Sequence, residues 1–183
     1  YTRSDYNIEF LDGQKIINNK DAQYNYIVQP IDGLNNLSRA IPYFGTVIAL
    51  EQAIQGQKEI IATVIFNMAN NELLFCDKGN GAFLNNRRIR VSQRNASHGV
   101  LCSVSNKMIF THPLVINSKF DFKLDNALSV DISYLASGRS DLLVANGKDS
   151  KLLKLLSLPL KEAGGSIIEK EGLTILSNSQ ATL

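Results

Sequence analysis

The succession of two hydrophobic periods constrains this chain most. Up to about Val91 the apolar residues fall in short, β-rich runs: Tyr26–Gln29, Thr46–Leu50, Glu59–Phe66 and Glu72–Cys76. The breaks between the later runs, Gln55-Gly56-Gln57 and Asn67–Asn71, are polar segments of the kind that close hairpins. Gly79-Asn80-Gly81 and Asn85-Asn86 mark two more tight turns, the second leading into Ile89–Val91. Beyond them the period changes. Val100–Val104 predicts a strand, and Asn126–Ser137 places Leu128, Ile132 and Leu135 at helical spacing, with Gly138 to end the helix. Asp141–Ala145 predicts another strand. Asp149–Ala163 predicts a leucine-rich helix with Asp149 as N-cap, Gly164-Gly165 as the stop, and a kink or shifted boundary at Pro159. Ser166–Glu169 and Leu173–Leu176 close as strands. Strands first, then alternating helices and strands, define a layered α/β sandwich. A boundary is expected near Ser92–His98, giving a sheet lobe over 1–95 and an α/β lobe over 96–183.

The remaining features narrow the function classes. The 183 residues suffice for one substantial core, and 44% apolar with 20% charged residues is ordinary globular usage. No run approaches the ~18 apolar residues of a membrane span, and no signal-peptide pattern opens the chain, so no membrane partner is expected. A net charge of +2 does not by itself call for nucleic acid. Arg87, Arg88, Arg90 and Arg94 do cluster, but no aromatic residues interleave with them as a stacking platform. A solvated hairpin face is the main reading of the cluster and nucleic-acid contact the lesser one. Cys76 and Cys102 are the only cysteines, which predicts buried, inert thiols in a reducing cytoplasm and no disulfide framework. His98 and His112 are the only histidines, and no Cys/His cluster has zinc spacing. A metal here would be a hard cation held by oxygen. Tyr1–Gly13 reads as the middle of a domain, so the chain is expected to be part of a longer protein.

Several motifs occur in order along the chain. They are Gln29-Pro30-Ile31-Asp32-Gly33-Leu34-Asn35-Asn36-Leu37, Pro42-Tyr43-Phe44, Gly79-Asn80-Gly81-Ala82-Phe83-Leu84-Asn85-Asn86 and Val91-Ser92. Tyr134-Leu135-Ala136-Ser137-Gly138-Arg139-Ser140-Asp141 and Glu162-Ala163-Gly164-Gly165 follow. In this order and spacing they resemble the inositol monophosphatase family, bacterial SuhB proteins included. The resemblance implies an inositol monophosphatase/fructose-1,6-bisphosphatase-like fold with an antiparallel first sheet and a mixed second sheet. It implies an N-terminal helical pair absent from this chain, and a shortened segment between Val104 and Phe122. It also implies homodimers.

The implied reaction is hydrolysis of an inositol or sugar phosphate monoester, in which two Mg²⁺ ions roughly 3.5–4 Å apart stabilise the attacking and leaving oxygens. Mg²⁺ requires near-octahedral oxygen ligands, hence several carboxylates from separate segments. Carried over by position, Glu9 matches the first glutamate of a Gly-Glu-Glu motif, a metal ligand that also positions the attacking water. Phe10 stands at the second glutamate. Gln29 replaces the aspartate that bridges both metals. Ile31 matches the residue whose backbone carbonyl binds metal, Asp32 matches the second metal-binding aspartate, and Leu34 replaces a water-orienting threonine. Leu152 stands at the last metal-binding aspartate, and Asp149, one helical turn earlier, is a lesser candidate to replace it. Gly33 belongs to the substrate side. So do Asn126-Ala127-Leu128, which replace a Gly-Ser/Thr-Ala turn, and Ala145, which replaces an inositol-contacting glutamate.

Four carboxylate positions thus become two, Glu9 and Asp32. A neutral Gln29 lends a carbonyl oxygen but is not a charged bridge. The expectation is a degraded phosphomonoesterase site with little or no activity, weak or absent Mg²⁺ binding and a binding role. A working Mg²⁺-dependent phosphatase with rearranged ligands is the first alternative. A SuhB-like RNA- or transcription-associated protein is the second. Lys148, Lys151 and Lys154 are expected to form a wet helix edge beside the site.

Overall fold

The computed structural model describes residues 6–17, 19, 21–54, 56–95, 99–116, 118–146 and 151–178. His98, Lys148 and Asp149, each singled out in the sequence, lie outside the described residues. The first half forms β1 (Tyr6–Phe10), β2 (Lys15–Ile16), β3 (Tyr24–Asp32), the single turn α1 (Leu34–Leu37), β4 (Gly45–Ile54), β5 (Gln57–Asn67), β6 (Glu72–Asp77), β7 (Gly81–Leu84) and β8 (Arg87–Ile89). The second forms β9 (Leu101–Val104), a 3-10 turn (Lys107–Thr111), α2 (Pro113–Ile116), β10 (Asp121–Lys123), α3 (Leu128–Ala136), β11 (Leu142–Asn146), α4 (Lys151–Glu162), β12 (Ser166–Lys170) and β13 (Leu173–Ser177).

The layered α/β arrangement is the one the sequence predicts. The eight-stranded first sheet runs β2-β1-β3-β4-β5-β6-β7-β8, and the five-stranded second sheet runs β10-β9-β11-β13-β12. The first sheet departs from the expected purely antiparallel pairing, because β1 lies parallel to β3, with Glu9 beside Ile27. The cause is the β1–β2 hairpin, which pairs Glu9 with Lys15 and returns the chain to the starting end of β1. The next strand on the other side of β1 must then run in the same direction. β1 itself escaped the sequence reading, although Tyr6-Asn7-Ile8-Glu9-Phe10 alternates apolar and polar residues at the strand period.

The two sheets share a core. Along β4 and β6 every second residue is buried: Val47, Ala49, Leu74 and Cys76 point inward, and Ile48, Leu73 and Phe75 lie exposed on the opposite face. The inward set packs with Ile132 and Leu135 of α3, Leu155, Leu156 and Leu160 of α4, and Leu143 and Leu176 of the second sheet. The helices therefore lie between the sheets. A second cluster of Cys102, Val104, Leu142, Val144 and Ile175 packs on the far face of the second sheet, with Ile109 and Val115. Burial pushes the Cys76 thiol up to about 12 and raises that of Cys102 as well, so neither is a reactive thiolate at neutral pH. No helix among the described residues is long and apolar enough to cross a membrane.

Pro159 does not end α4, which continues to Glu162. A proline at this position has no N–H to give the carbonyl four residues earlier, that of Leu155. The buried Thr63 hydroxyl of β5 donates to that carbonyl instead, at 3.0 Å. Thr63→Val removes the donor at nearly constant shape and leaves a buried carbonyl unpaired. The expected loss is about 1–3 kcal/mol of unfolding free energy, measurable by urea titration.

Two matched motifs are architectural. Both carboxylate oxygens of Glu162 accept backbone N–H groups of the β6–β7 turn, from Gly79 and Gly81, each at 2.8 Å. A Cβ on Gly165 would fall 2.4 Å from the Leu160 side chain, so the last glycine of that motif is needed for close packing. The buried Asp141 accepts from the Ser92 hydroxyl at 2.5 Å, Arg94 Nε at 2.9 Å and the Leu101 amide at 3.0 Å, and so ties down the crossing between the sheets. Arg94 thereby leaves the basic cluster that the sequence suggested.

Candidate functional site

The candidate residues lie on β1 and β3, in the turn after β3, and at the first turns of α3 and α4. Pro30 breaks the β3–β4 ladder, and the register shifts between Gln29 and Asp32. This bulge frees the Ile31 carbonyl from strand pairing. The oxygen accepts the side-chain amide of Gln29 at 2.7 Å. Gln29, which the resemblance sets at the bridging aspartate, therefore points an N–H donor at the carbonyl that the same resemblance assigns to metal.

Asp32 is turned toward α3. Its carboxylate accepts the Ser129 amide at 2.7 Å, so it supplies the N-terminal capping that Ala127, with no side-chain oxygen, does not. Burial pushes the Asp32 carboxyl above the usual aspartate range, opposed by hydrogen bonds from Ser129 and Gly33 and reinforced by Asp131. A carboxyl raised in the fold contributes stability below its unfolded pKa and loses it as pH rises through the folded value. Asp32→Asn keeps an acceptor for the Ser129 amide and carries no such loss. Its unfolding free energy is expected to match or exceed the parent's at pH 7 and to fall relative to it near pH 3, as read by urea titration at each pH.

Glu9 lies on the inner side of β1 between two lysines, with Lys15 Nζ at 3.1 Å and Lys151 Nζ at 3.3 Å. Partial burial alone would raise its carboxyl, but the hydrogen bonds and charges of Lys15 and Lys151 prevail and hold it below the usual glutamate range. Lys151 is thus more than the wet helix edge read from the sequence. The sequence reading missed both partnerships: that with Lys15 depends on the β1–β2 hairpin, and that with Lys151 crosses 142 positions.

The other candidates carry little chemistry. Phe10 is half-buried at the end of β1. Leu34 is 64% exposed and has no polar group to orient water. Leu152 packs half-buried against the core. Ala145 is buried in β11, without a polar side chain. Gly33 adopts φ +86°, and a Cβ there would lie 2.8 Å from the Tyr43 carbonyl, so the turn requires glycine. Asn126 takes φ +55° where the resemblance places a glycine, a conformation asparagine tolerates better than most residues. The Asn36 amide donates to the carbonyls of Tyr43, at 2.7 Å, and Asp125, at 2.6 Å, and joins the Asp32 turn to the segment before α3. Among the described residues, no three His, Cys, Asp or Glu side chains form a group that could hold a metal ion.

A sequence model of the inositol monophosphatase family matches residues 7–154. The chain belongs to the inositol monophosphatase family. It is 31% identical over 165 residues to the inositol-1-monophosphatase of Rhizobium meliloti, an alignment covering 85% of this chain and 60% of that protein. It is 25% identical over 162 residues to the Nus factor SuhB of Pasteurella multocida, covering 84% of this chain and 59% of that protein. The chain thus spans about three-fifths of the length of these relatives. The solved extragenic suppressor protein SuhB of Bartonella henselae superposes with a TM-score of 0.82 at 30% identity, covering 97% of this chain and 76% of that one.

Proposed function

We propose that this protein keeps the family scaffold without a working two-metal centre and acts by binding rather than by phosphoester hydrolysis. The observation that carries the reading is the hydrogen bond from the Gln29 amide to the Ile31 carbonyl, at 2.7 Å. The N–H takes one of the two lone pairs of that oxygen, and it sets a positively polarised NH₂ group, instead of a carboxylate, beside the place a cation would take. The other donors agree with this reading. Glu9 is neutralised by Lys15 and Lys151, Asp32 is engaged by the Ser129 amide, and Leu152 is aliphatic. Two Mg²⁺ ions would bring four positive charges to two carboxylates beside two ammonium groups. The residues present do not fit that pair of ions. Lys15 and Lys151 leave the locality suited to an anion, and an inositol or sugar phosphate bound without turnover is the ligand class the family suggests.

The test is phosphate release from myo-inositol 1-phosphate by the full-length protein in millimolar Mg²⁺. No release above a protein-free blank is expected. Turnover at ordinary enzyme rates, roughly 1–10³ s⁻¹, would restore the phosphatase alternative. A second reading draws on the relatives named Nus factor SuhB. Arg87, Arg88 and Arg90 are exposed on the β7–β8 hairpin and its exit, suited to phosphate-backbone contact in a transcription-associated role. RNA binding that weakens steeply with salt and is lost in an Arg87/Arg88/Arg90→Ala variant would favour it.

A further inference from the structure

A cleft of about 570 Å³ runs along α4, between that helix and the inner edge of the first sheet. Of the candidate residues described above its wall includes only Glu9, with the partner Lys151; Gln29, Ile31 and Asp32 do not line it. Its floor is apolar, built from Leu11 and Ile27 near β1 and β3, Ile60 of β5, and Leu155 and Leu158 of α4. Its rim is charged, and the charges do not cancel. Glu9 is held by Lys15 and Lys151, Glu51 by Lys58 at 3.1 Å, and Glu59 by Lys78. Glu162 is taken by the amides of Gly79 and Gly81. All four rim carboxylates are therefore engaged. Lys154 and Lys161, also on the rim, have no carboxylate partner among the described residues.

Lys154 and Lys161 stand seven residues apart on α4, about two helical turns or roughly 10 Å, on the face that also presents Leu155 and Leu158 to the cleft. The volume lies within the roughly 300–1,000 Å³ typical of small-molecule sites, and an apolar floor with a few placed charges is the usual lining of such sites. We infer that the α4 cleft binds a small amphipathic organic anion, its apolar body on Leu155, Leu158, Ile27 and Ile60 and its acidic group held by Lys154 and Lys161. This goes beyond the reading of the Asp32 site, since it uses neither Gln29, Ile31 nor Asp32.

The test titrates decanoate into the ¹⁵N-labelled chain and follows amide shifts, with 1-decanol as the uncharged counterpart. Saturable shifts centred on Ile27, Ile60, Leu155 and Leu158 are expected, with decanol binding at least about tenfold more weakly. Lys154→Ala/Lys161→Ala alters only exposed side chains, and circular dichroism checks that it stays folded. It is expected to weaken decanoate by at least about tenfold and to abolish the preference over decanol. Shifts centred instead on the exposed outer sheet face at Ile48, Leu73 and Phe75 would overturn the proposal. So would equal affinity for decanoate and decanol, or a double variant that binds decanoate like the parent.

Discussion

Lys123→Met is expected to lower the unfolding free energy by about 3–5 kcal/mol, the cost of leaving a buried charge without its partner. Asp131, with only 1% of its side chain exposed, receives Lys123 Nζ at 2.6 Å. The same ammonium reaches Asp125 at 2.9 Å and the Tyr43 hydroxyl at 2.6 Å, and lies 4.8 Å from the centre of the Tyr43 ring. The Tyr43 hydroxyl donates to Asp131 at 2.8 Å, closing the network. Burial alone would lower the lysine pKa, but Asp131 and Asp125 outweigh it and raise it. A lysine raised in the fold contributes stability that is complete below its unfolded pKa of about 10.4 and is lost as pH rises through the folded value. Methionine keeps much of the volume and removes the charge. Lys123→Met/Asp131→Asn is expected to recover much of the loss, because it removes both members of the pair. Urea denaturation followed by circular dichroism reads all three proteins. A single-variant loss below about 1 kcal/mol would mean that Tyr43 alone satisfies Asp131.

The second large effect is a gain. Gln29→Asp/Leu152→Asp returns carboxylates to both positions where the family resemblance places them and removes the amide that occupies the Ile31 carbonyl. Without metal the variant is expected to melt below the parent, since Leu152 leaves the core and new anions crowd Asp32. With Mn²⁺ at about 100 times its dissociation constant, binding restores about 2.7 kcal/mol and the melting temperature rises; chelation with EDTA reverses the change. The parent chain is expected to show no comparable rise. Equal stabilisation of parent and variant by Mn²⁺ would place a metal site in the native chain and refute the proposed loss. Lys15 and Lys151 remain in the variant and oppose the gain, so Lys151→Ala added to it is expected to strengthen Mn²⁺ binding further.

Most strands and both longer helices were readable because local period and burial agree. Thr46–Leu50 and Glu72–Cys76 alternate sides of one sheet, and the leucines of α4 keep helical spacing toward the same core. The short pieces were missed for physical reasons. β2 has two residues and β10 three, too few to carry a period. Pro159 lies inside α4 as the sequence predicts, but the hydroxyl that satisfies the carbonyl it leaves free comes from Thr63, 92 positions away, and was not legible. The site was legible in part. Gln29, Leu34 and Leu152 stand where the resemblance implies a charge or a hydroxyl, and the proposed loss of the metal centre rests on those positions.

Residue identity and spacing alone determined the layered α/β class and the family resemblance, because these depend on composition and period within short windows. Tertiary structure alone decided where the surviving groups point. It set the Gln29 amide against the Ile31 carbonyl, gave Asp32 to the Ser129 amide and brought Lys151 to Glu9 across the cleft. Such electrostatic pairings act through space and fall off with distance rather than with sequence separation, so no local window contains them.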